Sequence, residues 1–128
     1  MKNAKIGFSM AINGEVSTAF ESWGKALPNR LDFVDTENNT YQIVIIPPKV
    51  IITITGKIFT KMTFHNQAIT TGTLHLADSH IDLRIQTVML KVSMNAITII
   101  YDLLDEDDII SNHHLHLNWQ LDTERKEK

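Results

Sequence analysis

The sequence predicts an all-β protein folded as a single antiparallel, up-and-down barrel of about eight to ten strands. Apolar residues recur at every second position through most of the chain, which places them on one face of a strand. Turn-forming residues interrupt this alternation about every ten residues, and no segment keeps the 3.6-residue period of an amphipathic helix. The connections are short, which favours a meander, and closing the sheet removes its exposed edges.

The first predicted element is a hairpin. Apolar side chains alternate from Ile6 to Ile12, and Asn13-Gly14 follows at once. Both of these turn residues tolerate a positive φ, which a two-residue type I′ turn requires. We expect the return strand over 15–23, with one face formed by Val16, Thr18, Phe20 and Ser22.

The remaining strands follow in close order, separated by turn signals such as Pro47-Pro48, Gly56 and Met94-Asn95. The acidic run from Asp105 to Asp108 is expected to be a solvated hairpin loop, because calcium loops space their carboxylates and turn on glycine. Alternation of apolar residues predicts strands over 31–34, 41–46, 50–55, 58–64, 69–76, 80–90, 97–103 and 113–121.

The 128 residues, of mass 14.6 kDa, suit one domain. We expect a single barrel domain over 1–121 and a polar tail over 122–128, where no apolar residue occurs. The longest unbroken apolar run is Ile43 to Ile46, far short of the ~20 residues of a membrane helix. No signal-peptide pattern follows Met1, so we expect a cytoplasmic protein with no membrane partner.

Composition excludes several classes of function. Twelve Lys and Arg against fifteen Asp and Glu give a formal charge of −3, so nucleic acid is not an expected partner. The absence of cysteine excludes a disulfide scaffold, a thiol nucleophile, a cysteine zinc site and an iron–sulfur cluster. The chain has no G-x-S-x-G nucleophile motif and no phosphate-binding glycine loop. We therefore expect a protein that is not an enzyme and uses no cofactor.

The inward face of the predicted barrel supplies the candidate ligand-binding residues. An eight-stranded barrel is just wide enough to fill itself or to hold one small ligand. The same side chains therefore predict either a small apolar cavity or a packed core, and the sequence leaves both open. The candidate lining residues are Ile58, Met62, Phe64, Leu83, Ile85, Ile99, Tyr101, Leu117 and Trp119.

Histidines near the carboxyl end form the one cluster with metal-ligand character. His114 and His116 share a face of the last strand, about 7 Å apart at Cα. Two such imidazoles can share a zinc or nickel ion if a neighbouring strand supplies a third ligand. The alternative is a polar outer face with both rings in water.

Four segments resemble the YwiB-like family of small bacterial proteins of unknown function. They are Gly56 to Phe64, Ile81 to Thr87, Ile99 to Leu103, and Asn112 to Trp119, which fit the family's strands in order and spacing. The resemblance implies a lipocalin-like, or calycin, β-barrel. It implies no particular reaction, substrate or partner.

Two functions follow as expectations. The first is a non-enzymatic barrel that binds a small, mainly apolar ligand. The second is a structural or interaction protein with a solid core that meets a second copy or another protein through its surface. Apolar residues off the predicted inner face, such as Val44, Ile46, Phe59 and Ile100, motivate the second.

Overall fold

The computed structural model describes residues 2–122, with only the backbone of Lys2, and contains ten strands. The predicted tail falls outside this range except for Asp122. The strands are β1 (Lys2–Ile12), β2 (Glu15–Leu27), β3 (Arg30–Val34), β4 (Thr40–Ile46), β5 (Lys49–Thr55), β6 (Ile58–His65), β7 (Ile69–Leu76), β8 (Ser79–Val92), β9 (Ala96–Asp105) and β10 (Asp108–Leu121).

The strands form one closed antiparallel barrel. Each strand pairs with its neighbours in sequence, and β10 pairs with β1 to complete the ring. Short turns join strands that lie side by side, and closure gives every strand a partner on both sides, although β2 pairs with β3 only over residues 25–27. The predicted fold class, an all-β up-and-down barrel of eight to ten strands, is confirmed. Among residues 2–122, no helix is long and apolar enough to cross a membrane.

The first hairpin has the predicted turn. Asn13 has a φ of 52° and Gly14 a φ of 87°, both in the left-handed region. This is the backbone of a primed two-residue turn, which matches the right-handed twist of the flanking strands. The Asn13 side chain also accepts a hydrogen bond from the backbone N–H of Asn112 at 2.9 Å, which ties the turn to β10.

A β-bulge corrects the predicted face of β2. Thr18 lies opposite Met10, but Val16 lies opposite Ala11, so Ser17 is an extra residue. The bulge reverses the alternation before it, and Val16 is 73% exposed on the outer face. The prediction that Val16 shares a face with Thr18 and Phe20 is therefore wrong. Regular alternation assumes one partner per residue, and a bulge breaks that assumption.

The two ends of the barrel differ in their connections. The loop end carries the connections at 13–14, 35–39, 56–57, 77–78 and 106–107. The opposite end, the terminal end, carries the remaining turns, the start of β1 and the end of β10. Inward side chains in the middle are fully buried, whereas several at the two ends are only half-buried.

Candidate functional site

Most of the predicted lining residues belong to the packed core. Leu83 and Trp119 are half-buried and pack against that core, at opposite ends of the barrel. Ile58 is different: it is on the inward side of β6 but at the rim, and is 42% exposed. The lining candidates that are buried are Met62, Phe64, Ile85, Ile99, Tyr101 and Leu117.

Aromatic rings fill the barrel interior. The rings of Phe64 and Tyr101 have their centroids 4.8 Å apart, within the range of favourable aromatic pairs. On the other side, Phe8 lies 5.3 Å from Phe20 in a stacked pair. The middle of the barrel is therefore occupied by the protein's own side chains, and of the two alternatives left open by the sequence it has a packed core.

A cleft opens instead at the loop end. Its volume is about 730 Å³, within the usual range for small-molecule sites. Inward side chains of β5, β6 and β7 form the apolar wall, and the 35–39 loop and the 56–57 turn form the rim. The cleft is lined by Glu37, Asn38, Asn39, Ile54, Gly56, Lys57, Ile58, Thr60 and Leu74.

Asp35 organises the rim. Its Oδ1 accepts the backbone N–H groups of Glu37 at 2.8 Å and Asn39 at 3.0 Å. Its Oδ2 accepts the Asn39 side-chain amide at 2.9 Å and the Tyr41 hydroxyl at 3.1 Å. Desolvation works to raise the pKa of Asp35, but these hydrogen bonds to the carboxylate outweigh it and lower that pKa. The rim is thus held by an ionised carboxylate.

Gly56 lets the rim close onto the barrel. A Cβ at this position would lie 1.8 Å from Oδ1 of Asn39, closer than any non-bonded contact allows. Asn39 is held in place by Asp35, so the side chain of Asn39 packs directly against the backbone of Gly56. Glycine is needed here for close approach and not for an unusual φ.

The cleft combines an apolar wall with two opposite charges. Ile54, Ile58 and Leu74 offer apolar contact, while Lys57 and Glu37 stand at the rim. Among the ion pairs of residues 2–122, none involves Lys57 or Glu37. Both charges are therefore available to a ligand that has an apolar body and a polar end.

Sequence reasoning found one residue of this cleft, Ile58, and missed the rest. The missed signal is the run from Asp35 to Asn39, in which an Asx residue precedes turn-forming side chains. Such residues cap their own backbone and fix a loop. That pattern marks an ordered connection, but no spacing in the sequence says that it lies over the inward side of β6.

A buried histidine interrupts the apolar core beside this end. His113 faces inward, stacks on Tyr101 with ring centroids 4.6 Å apart, and shares a 2.7 Å hydrogen bond with Ser111 through Nε2. Its Nδ1 and the buried Oγ1 of Thr87 have no hydrogen-bond partner in the described part of the chain. Burial lowers the pKa of His113, and the charge of Asp102 opposes this shift only in part.

The predicted metal pair lies on the outer face. His114 is flanked by Ala11 and Ile100, and the neighbours of His116 are Ser9 and Thr98, so the adjacent strands supply no third ligand at these positions. His116 Nδ1 instead lies 3.1 Å from the Thr98 hydroxyl. Over residues 2–122, no group of three or more His, Cys, Asp or Glu side chains is placed to hold a metal ion.

A mainly apolar row, with His114 at its centre, crosses the outer face of five neighbouring strands. In cross-strand register it runs Val16, Ala11, His114, Ile100 and Met89, from β2 through β1, β10 and β9 to β8. Val16 is 73% exposed and Met89 36% exposed. We call this set the outer row. Ile100, one of the outward apolar residues predicted from the sequence, belongs to it, whereas Val44, Ile46 and Phe59 lie on other strands.

Comparison with known proteins bears on the fold. No protein-family model matches the chain, and no curated protein matches it in sequence. Among solved structures, the crystal structure of the ywiB protein from Bacillus subtilis superposes with a TM-score of 0.72. The two folds are similar. The match covers 94% of this chain and 92% of the ywiB protein, at 11% sequence identity. At that identity the likeness to the ywiB protein concerns the fold alone.

Proposed function

We propose that this protein is a non-enzymatic, YwiB-like binder of a small, mainly apolar ligand, which occupies the cleft at the loop end. The observation that carries the proposal is the cleft of about 730 Å³ with a partly apolar wall. Because the middle of the barrel is packed, we place the expected ligand site in the cleft at the loop end and not at the centre of the barrel. The fold likeness is compatible with this function and does not establish it.

The polar rim supports the same proposal. Binding sites for small molecules combine apolar walls with a few fixed polar groups that orient the ligand. The side-chain amide of Asn39 is fixed by Asp35, and Asn38, with its backbone at a φ of 65°, lies next to it in the cleft lining. Because the rim is already ordered before a ligand binds, the entropic cost of ordering it on binding is reduced.

The proposal is tested with the fluorescent dye anilinonaphthalene sulfonate, which has an apolar ring system and one anionic group. Thr60 is on the cleft wall, so Thr60→Phe fills the cleft and should weaken binding at least about tenfold. The dye's own emission is the readout, because Trp119 lies at the terminal end and Trp23 is 63% exposed. We expect the parent to bind saturably, with about one dye per chain.

Thr71→Phe is the matched control. Thr71 is exposed on the outward face of β7, and the same substitution there adds an apolar ring without entering the cleft. It should leave dye affinity unchanged, and circular dichroism should show both variants folded. Absence of saturable binding by the parent, or equal weakening by both variants, would overturn the proposal.

A second candidate function is association through the outer row. Apolar surface residues are usually scattered singly, whereas here four of them lie in one register line, two on each side of His114. We propose a second copy of the chain as the occupant, because closed two-fold dimers are the commonest soluble assemblies and match one patch against itself. Val16 and Met89 would be covered in such a dimer.

Sedimentation velocity over a range of protein concentrations tests this candidate. The parent should show dimers that dissociate on dilution, and Val16→Lys should shift it to the monomer. Ser17→Lys, the neighbouring exposed position in the bulge, is the control and should not. A parent that is monomeric at all concentrations would exclude the outer row as a self-association surface.

A further inference from the structure

A second pair of histidines lies on the outer face of the hairpin formed by β7 and β8. His75 and His80 are directly opposite each other in the antiparallel register, one pair from the turn. Their rings are nearly parallel, at 14°, with centroids 5.1 Å apart. Both side chains are exposed.

The spacing of the two rings suits a shared metal ion. Zinc binds imidazole nitrogen at about 2.0–2.1 Å in tetrahedral geometry, and each ring centroid lies roughly 1.2 Å behind its nitrogen. Two imidazoles on one zinc ion then have centroids about 5.2 Å apart. The observed 5.1 Å matches this separation, and because both rings are exposed they can rotate about χ2 to direct one nitrogen each at a shared ion.

Asp82 determines which nitrogen of His80 is free. Its Oδ1 lies 2.7 Å from Nε2 of His80. An ionised carboxylate only accepts hydrogen bonds, so Nε2 carries the proton and Nδ1 keeps its lone pair in the neutral ring. A carboxylate behind a ligating imidazole is the usual outer partner in zinc sites, where it fixes the tautomer and raises the basicity of the ligand.

Phe59 limits the position of His75 from the other side. The two rings meet edge to face at 5.7 Å, because Phe59 is opposite His75 on β6. No hydrogen bond from the His75 ring to another residue is present within 2–122. The ring of His75 is thus confined between Phe59 and His80 while its nitrogens remain available.

We propose that His75 and His80 form a zinc-binding site, with Asp82 as the orienting partner of His80 and water completing the coordination. Imidazole is a preferred ligand of zinc, and two ligands on adjacent strands are held together by the sheet. The described residues contain no ready-made group of three ligands, so the site relies on two protein ligands and leaves open positions on the metal.

The experiment is a calorimetric titration of the tag-free, metal-stripped full chain with zinc chloride. We expect about one zinc ion per chain. His75→Ala and His80→Ala should each weaken binding by more than about tenfold, and Asp82→Ala by about 10–100-fold, as outer-shell partners of metal ligands do. The matched control is the double variant His114→Ala/His116→Ala, which should bind as the parent does.

Nitrogen-15 spectra of the imidazole rings give a second readout. Zinc should shift Nδ1 of His80 and leave its Nε2 protonated, a signature that mere stacking of the rings does not produce. The proposal fails if the parent binds no zinc, if the control loses as much affinity as His75→Ala, or if zinc perturbs the rings of His114 and His116 in place of His75 and His80. Each variant is first checked for parental circular dichroism and thermal unfolding, and the exposed positions make loss of the fold an unexpected result.

Discussion

The middle of the barrel and its loop end are built from the same alternating strands, but their inward side chains have different environments. In the middle, Phe64, Ile99 and Leu117 are fully buried and belong to the same apolar core. At the loop end, Ile58 and Leu74 face a cleft that is open to solvent. The difference shows that inward orientation alone does not create a binding site: a site needs inward positions that no opposite side chain fills.

The largest expected difference between the two regions is the cost of truncating a side chain. Phe64→Ala should lower the free energy of unfolding by about 3–5 kcal/mol, because it leaves a cavity in a packed interior. Ile58→Ala removes a 42% exposed side chain and should cost less than about 1.5 kcal/mol. Denaturant unfolding of both variants measures the two values. Equal costs would contradict the contrast between a filled middle and an open end.

Enlarging a side chain should also distinguish the two regions: it should destabilise the middle of the barrel and be tolerated at the loop end. Ile99→Phe inserts atoms into a space that is already full and should cost about 1–3 kcal/mol. Thr60→Phe places its ring in the cleft and should leave the free energy of unfolding within about 1 kcal/mol of the parent while weakening dye binding at least about tenfold. Thermal unfolding and dye titration on the same samples report both quantities. A stable Ile99→Phe protein would indicate unused volume in the middle.

The turn at Asn13 tests whether the loop end, although open, has a fixed backbone. Asn13→Val puts a β-branched residue at a φ of 52° and should destabilise the fold by about 1–2 kcal/mol. Asn13→Gly accepts that φ but loses the side-chain acceptor for Asn112, so it should cost less. If the two variants are equally stable, backbone strain at this turn does not matter.

The smallest effects are expected from pH, and they differ between His113, buried in the core, and Asp35, at the rim. Burial lowers the pKa of His113. As the pH falls, the His113 ring therefore becomes protonated in the unfolded chain at a higher pH than in the folded protein. The free energy of unfolding should therefore fall as the pH drops below about 6.5, by at most about 1.4 kcal/mol per pH unit. Asp35 behaves differently: its lowered pKa keeps it ionised, so its stabilising contribution is lost only at pH values below about 3.9.

Denaturant unfolding at pH 7, 6 and 5 measures this slope. His113→Gln should flatten it between pH 7 and 5, whereas His116→Gln, on the exposed face of the same strand, should not. A His113→Gln protein with the parental slope would assign the dependence to another group. Acid unfolding of Asp35→Asn below pH 4 examines the rim separately.

Much of the barrel was predictable because the relevant signals are local. Alternation from Ile6 to Ile12 and the Asn13-Gly14 turn are properties of a few consecutive residues, and both appear in the structure as predicted. Val16 was misplaced because the bulge beside Met10 is a property of two paired strands. The cleft was missed for a related reason: the contact between Gly56 and Asn39 joins two connections that are far apart in sequence.

The two histidine pairs show the same limit of what can be predicted from sequence alone. The sequence by itself placed His114 and His116 on one face, since residues two apart on a strand always share a face. Only the tertiary structure brought His75 opposite His80, because the register of β7 and β8 sets which residues face each other. Backbone sterics make the side chains of a strand alternate between its two faces, so the order of residues is enough to predict which residues share a face. Strand register, bulges and the filling of the interior depend on the packing of the whole barrel, so the cleft and the cross-strand pair were decided there.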